Sequence, residues 1–386
     1  LTASGNKLNS FGKSMDGVAN TWLRVSGVTL AATAGLVGAA VQWESSVASM
    51  AKTIDATPEQ FAEMTQGIRD LALEIPTAAK DLAELASIAG QLGIDNENVV
   101  EFTRVVSMLG TTTNMTAEQA ATDFAKLANI TGMSETQFSN LGSVVVDLGN
   151  NFSTTESDIT DMAMRLAGAG ETVGLTEAEI MGLSTTLSSL GVEAEMGGSA
   201  ISKLLVSMEL AANTGLEPMQ KLQEQTGYTR RDLELMASNA SSDFKDLAAS
   251  LGITTTEMTD VMTASKNLEN FAEIAGVSVE EFTAKFNDPN GGAIAAMQMF
   301  VGGLKETGTE SESTIEKLDA MGISEIRMRD ALLRLANGSG VLTDAISTAN
   351  TAWSENTALQ EEAEKRYATT QSQLVLLKNK LMDVAI

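Results

Sequence analysis

The feature that most constrains this chain is a short punctuation repeated along it: a glycine, one apolar residue, then a residue able to cap a helix. It stands at Gly93-Ile94-Asp95, Gly132-Met133-Ser134, Gly174-Leu175-Thr176, Gly252-Ile253-Thr254, Gly276-Val277-Ser278 and Gly322-Ile323-Ser324. Glycine takes the left-handed conformation that closes a helix, which a residue with a Cβ adopts less readily. The Ser, Thr or Asp two positions later accepts hydrogen bonds from the free N–H groups opening the next helix. The apolar residue between them can pack against both helices. Glu or Gln follows the cap by three residues at Thr57/Gln60, Thr116/Gln119, Ser134/Gln137, Thr176/Glu179, Thr254/Glu257 and Ser278/Glu281, the spacing of a capping box. Between corners the apolar residues keep helical spacing, as in Phe61, Met64, Ile68 and Leu71. The expected fold is all-α: an irregular multi-helix array with tight Gly-capped corners. Capping points from Thr116 to Thr176 fall at short single-helix intervals, and no fixed repeat is read across the whole chain.

The two ends differ from this core. Residues 1–44 form an N-terminal helical segment, 45–340 the corner-rich core, and 341–386 a third region. Between Arg24 and Glu44 the chain carries no charge, and small residues Gly27, Ala31, Gly35 and Ala39 recur every fourth position between Trp22 and Trp43. That pattern fits a Gly/Ala-rich helix packed closely in an assembly, or one that contacts a membrane. From Val341 to Ile386 no Gly or Pro occurs, and a 4-3 spacing runs through Leu342, Ile346, Trp353, Leu374, Leu377 and Leu381. The spacing predicts one long coiled-coil-like helix with polar core positions at Asn356, Gln360 and Thr370. The chain begins at Leu1 and stops at Ile386 inside this helical pattern, so it is expected to be an excised part of a longer protein.

Composition narrows the chemistry. The 386 residues contain no Cys and no His. Disulfides, Cys-bearing zinc sites and His-based triads are therefore excluded. The net charge of −26 repels nucleic acid and anionic lipid, so no direct nucleic-acid binding is expected. Gly168 to Gly174 looks like a phosphate loop, but it follows a helical run and lacks the closing Lys-Ser/Thr pair. Asp95 to Asn98 begins like a calcium loop, but Val100 stands where the turn glycine belongs. Catalytic, metal and cofactor sites are all read as none.

As a whole the arrangement resembles the core region of phage tail tape-measure proteins, from about Val41 to Lys380. Three stretches carry the likeness. The first is Gln42-Trp43-Glu44-Ser45-Ser46-Val47, leading into Ile75-Pro76-Thr77-Ala78-Ala79-Lys80-Asp81-Leu82-Ala83. The second runs from Gly174-Leu175-Thr176-Glu177-Ala178-Glu179 through Leu190-Gly191-Val192 to Gly197-Gly198-Ser199-Ala200. The third is Met321-Gly322-Ile323 with Asn356-Thr357-Ala358-Leu359 and Leu376-Leu377-Lys378-Asn379. The resemblance implies a non-enzymatic virion protein that occupies the tail tube lumen, templates tube length during assembly in the host cytoplasm, and leaves toward the host envelope at DNA ejection. Implied partners are the tail tube protein, tail assembly chaperones and tail tip or baseplate proteins. The small-residue face at 27–39 and the heptads at 342–384 in turn suit further copies of the chain, a trimer among the options, and residues 25–43 are the segment expected to make any host membrane contact. A membrane-inserting secreted protein or pore-forming toxin subunit remains the alternative on the residues alone.

Overall fold

The computed structural model describes residues 30–239, 242–306 and 312–383. The first eight of these, 30–37, and 312–314 are placed as backbone only. Trp22 and Gly27 lie outside the described residues.

Caps decide where the helices begin. Thr57, Thr116, Thr155 and Thr176 each stand in extended backbone, and each side-chain oxygen accepts the N–H three residues on. At Thr57/Gln60, Thr176/Glu179 and Thr254/Glu257 the acid or amide also reaches back to the cap N–H, completing the box; Thr229/Asp232 forms a fourth. Ser134 caps only a short turn, Glu135–Gln137, by accepting from the N–H of Thr136. Helix ends follow the same logic. All six corner glycines have φ between 69° and 84°. The apolar residue after five of them returns its N–H five positions back, as Ile94 to the Ala89 carbonyl and Leu175 to that of Gly170. This closure satisfies carbonyls that a helix end leaves free.

The resulting helices are α1 (Leu30–Thr53), α2 (Pro58–Glu74), α3 (Ala79–Leu92), α4 (Val99–Thr112), α5 (Ala117–Thr131), α6 (Phe138–Asn151), α7 (Glu156–Thr172), α8 (Glu177–Ser189) and α9 (Ala194–Thr214). Then come α10 (Glu217–Thr226), α11 (Arg230–Ser238), α12 (Ser242–Ser250), α13 (Thr255–Ala275), α14 (Val279–Phe286), α15 (Gly292–Glu306) and α16 (Glu312–Ala320). The last four are α17 (Ile326–Asn337), α18 (Ser339–Glu355), α19 (Ala358–Tyr367) and α20 (Thr370–Asp383). No strand occurs among the described residues.

The first half has a regularity that the caps alone did not reveal. Helices α2, α4, α6 and α8 start at 58, 99, 138 and 177, and their partners α3, α5, α7 and α9 at 79, 117, 156 and 194. Each pair is thus 38 to 41 residues after the one before. The first members pack in one row and the second members in another, with α1 extending the second row against α3. This is the stacking logic of a helical-pair solenoid, in which each pair buries its apolar face only against its neighbours. Phe102 of α4 and Phe138 of α6 meet edge to face at 4.7 Å, tying consecutive pairs together. Gly110 shows why a side chain is absent at the tight turn inside one pair. A Cβ there would lie 2.8 Å from the backbone nitrogen of Ala117, the first residue of the next helix.

One buried core runs from Trp43 and Met50 in α1 to Leu342 and Ala363 near the other end. A second, smaller core joins Met219, Leu222, Leu233, Phe244, Ala248, Met258 and Met262. It belongs to a lobe of α10, α11, α12 and the first half of α13. The second half of α13 returns to the main core, where Phe271 contacts Phe282 and Phe300. Arg230 pairs with Glu234 and with Glu269, bridging the lobe to that second half.

The 341–386 stretch is not one helix. Asn356 takes the left-handed conformation at φ 50° and ends α18, and a second break follows Tyr367. Tertiary hydrogen bonds hold the first break: the Asn356 Oδ1 accepts from Ser139 and Ser143 of α6, each at 3.0 Å. The polar position expected to set coiled-coil register is instead a corner residue, and the 4-3 spacing serves intramolecular packing over its first half.

Candidate assembly surface

The three C-terminal helices form a strap running back along the first row. Helix α18 crosses α8 and α6, α19 crosses α6 and α4, and α20 reaches α2. Apolar packing holds the beginning of the strap: Leu342, Ala345, Ile346 and Ala349 are buried, while Trp353 is half-buried against the core. In the middle Leu359 enters the space left by Gly142, and its N–H faces the Ser143 hydroxyl at 3.4 Å. Asn140 donates its side-chain amide to the Trp353 carbonyl at 2.8 Å.

The far end is held differently. Asn379 is the one buried residue of α20. Its amide nitrogen donates to the carbonyls of Ala72 and Thr77 at 2.8 Å, with Ile75 at 3.5 Å. Arg69 pairs with the Asp383 carboxylate at 2.8 Å. The free carbonyls at the end of α2 are thus capped from another helix. Meanwhile Leu374, Leu377 and Leu381 are 62 %, 55 % and 61 % exposed. The helix therefore docks around Asn379 and Asp383, with Val375, Leu376 and Met382 half-buried on that side, and turns three of its four leucines to water.

Between α1, the α2–α3 corner and α20 lies a cleft of about 410 Å³, lined by Gly38, Ala39, Trp43, Ala79, Lys378 and Met382 among others. Trp43 is only 8 % exposed and belongs to the main core, and Ala39 is half-buried at the cleft. Ala31 and Gly35 fall within α1, in the stretch 30–37 whose side-chain surroundings lie outside what is described. Among the described residues no helix is long and apolar enough to cross a membrane.

The other suggestive motifs resolve into packing. A Cβ at Gly170 would lie 2.9 Å from the Ile180 side chain, so the glycine-rich stretch lets α7 approach α8. At the Asp95 corner, the Glu135 carboxylate accepts from the Asp95 N–H and the Asn98 amide, each at 2.9 Å, stapling two corners together. Asp288 accepts from the Asn290 N–H at 3.0 Å and makes a local turn. Among the described residues no cluster of three or more acids, His or Cys has metal-binding geometry.

Three carboxylates, the half-buried Asp123 and Asp147 and the more exposed Glu101 beside Arg104, carry the main electrostatic strain. Burial pushes the acids of Glu101, Asp123 and Asp147 above their ordinary range. Asp161 adds to the effect at Asp123, and the strap's Glu355 and Glu361 add to it at Asp147. A carboxyl whose pKa is raised on folding favours the folded state when protonated, an advantage complete below the ordinary carboxylate pKa and lost as pH rises through the folded value. Asp232 and Glu257, held low by the Thr caps that bond them, act oppositely, but only at pH below the ordinary range. The urea midpoint is therefore expected to rise as pH falls from neutral toward the ordinary carboxylate pKa of about 4, and Asp123→Asn should flatten that rise. A midpoint that falls over this interval would exclude the assignment.

Compared with known proteins, residues 65–252 match the model of a family described as phage-related minor tail protein. The chain is also similar to a probable tape measure protein of Halomonas phage phiHAP-1, 25 % identical over 191 residues. That alignment covers 46 % of this chain and 22 % of the relative, so the chain spans less than a quarter of the relative's length. The family match takes in the paired helices from within α2 to α9 and ends in the small lobe.

Proposed function

Taking the chain as a phage tail tape-measure-like protein, we propose that it is a folded body of a tape-measure protein, carried in the tail tube lumen and released ahead of the DNA. The similarity of residues 65–252 to phage minor tail proteins is the observation that carries this reading. Its charge supports it, since a surface of net −26 keeps the body from binding the genome that follows it. Length control then belongs to extended helix elsewhere in the whole protein. A continuous helix gains about 1.5 Å per residue along the tube, whereas residues 58–214 fold back as stacked pairs and add little length for their number. The role is structural, with tail tube, chaperone and tip proteins, and further copies of the chain along the tube axis, as its partners.

The test uses the whole protein in intact tails. Ile326 at the start of α17 is 84 % exposed, and a photo-crosslinking amino acid there faces solvent. Filled tails should give an adduct with the tail tube subunit, and emptied tails should lose the labelled protein. No tube adduct in filled tails, or full retention after ejection, overturns the lumenal placement.

A further inference from the structure

We propose that the outer face of α20 is a docking surface for an acidic amphipathic helix of another protein. Single exposed leucines are ordinary on a protein surface. Here three share one stripe at spacings of three and four, Leu374, Leu377 and Leu381, which is the seam that a partner helix covers. The stripe is not a failed docking face. At 3.6 residues per turn it lies roughly 165° around the helix from Asn379, the residue that anchors α20 to the corner after α2. Both faces are therefore available at once, one for the body and one for a partner.

Charge selects the partner. Lys378 and Lys380 flank the stripe on its two sides, both exposed, and neither pairs with a carboxylate among the described residues. The only acid of α20, Asp383, is taken up by Arg69, so the outer surface of this helix is positive in a chain where acids outnumber bases 51 to 25. Charges beside a helical seam choose its partner, and lysines there favour Asp or Glu opposite. A second copy would instead bring the same two lysines to the seam. An anionic bilayer meets the field of the whole chain, and that field is repulsive. A single helix seated on the seam meets chiefly the charges within a Debye length of about 8 Å.

The probe is a fluorescent three-heptad peptide with Leu at its a and d positions and Glu at e and g, beside a counterpart with Lys at e and g. By anisotropy the Glu peptide should bind the full chain about tenfold more tightly than the Lys peptide. Leu377→Asp should abolish binding, and the double change Lys378→Glu with Lys380→Glu should reverse the preference. Both variants alter exposed side chains, so an unchanged circular dichroism melt shows that the body is intact. Equal affinity for the two peptides, or none, overturns the proposal. Sedimentation showing self-association that Leu377→Asp removes assigns the seam to a second copy and overturns it as well. So does flotation with phosphatidylglycerol vesicles that depends on Leu377.

Discussion

Replacing Gly182 by leucine is expected to separate the strap from the paired helices at a cost of about 3 kcal/mol. Gly182 sits where α8 crosses α18. Even a Cβ there would lie 2.9 Å from the Ile346 side chain, and 3.0 Å from both the Ala345 carbonyl oxygen and the Ile346 Cα. Two of these neighbours are backbone, which cannot rotate away as a side-chain tip can. Replacing a helical glycine returns up to about 1 kcal/mol of helix propensity, so overpacking wins. The urea midpoint should fall, and hydrogen exchange should speed up most across 339–355. An unchanged midpoint would mean that α18 does not rest on α8.

Gly168 supplies the contrast. It also lies inside a helix, α7, but a Cβ there meets nothing within 4 Å. Gly168→Ala should therefore raise stability, by up to about 1 kcal/mol. Opposite signs at two helical glycines would separate close approach from backbone entropy, which composition alone cannot do. They would also locate the strap in solution.

Much of the fold was legible in the sequence because it is written locally. A corner such as Gly174-Leu175-Thr176 needs only its own residues and the helix on each side, and it stands in the structure with φ 78° at the glycine and a full box at Thr176. The pairwise stacking was harder to see because it lies in packing between residues about 40 apart, such as the Asn114 side chain accepting from the N–H of Ser157. The strap was misread for a similar reason. Leu342 and Leu377 occupy equivalent places in one 4-3 pattern, yet the first is buried and the second exposed. What divides them is a polar bond between Asn356 and two serines more than 200 residues earlier. Helical spacing reports which residues share a face. It does not report which neighbour covers that face.

The far end of the strap should be the weakest joint, and Asn379→Ala is expected to release it. The amide is the buried anchor of α20, and its loss removes donors from the Ala72 and Thr77 carbonyls. Leaving such groups unpaired costs about 2 kcal/mol if they stay buried. Asn379 is the only fully buried residue of α20, so undocking, which lets water reach those carbonyls, is the cheaper response. Hydrogen exchange over 370–383 should accelerate roughly 30-fold, the equivalent of about 2 kcal/mol, while the global melt moves little. Arg69→Gln removes the partly exposed pair with Asp383 and should have a smaller effect, on the order of 1 kcal/mol or less. The two substitutions should couple, because either one lets the same helix lift. Unchanged protection of 370–383 in Asn379→Ala would show that α20 is held by something other than its amide, and the view of the strap as a polar-latched arm would fall with it.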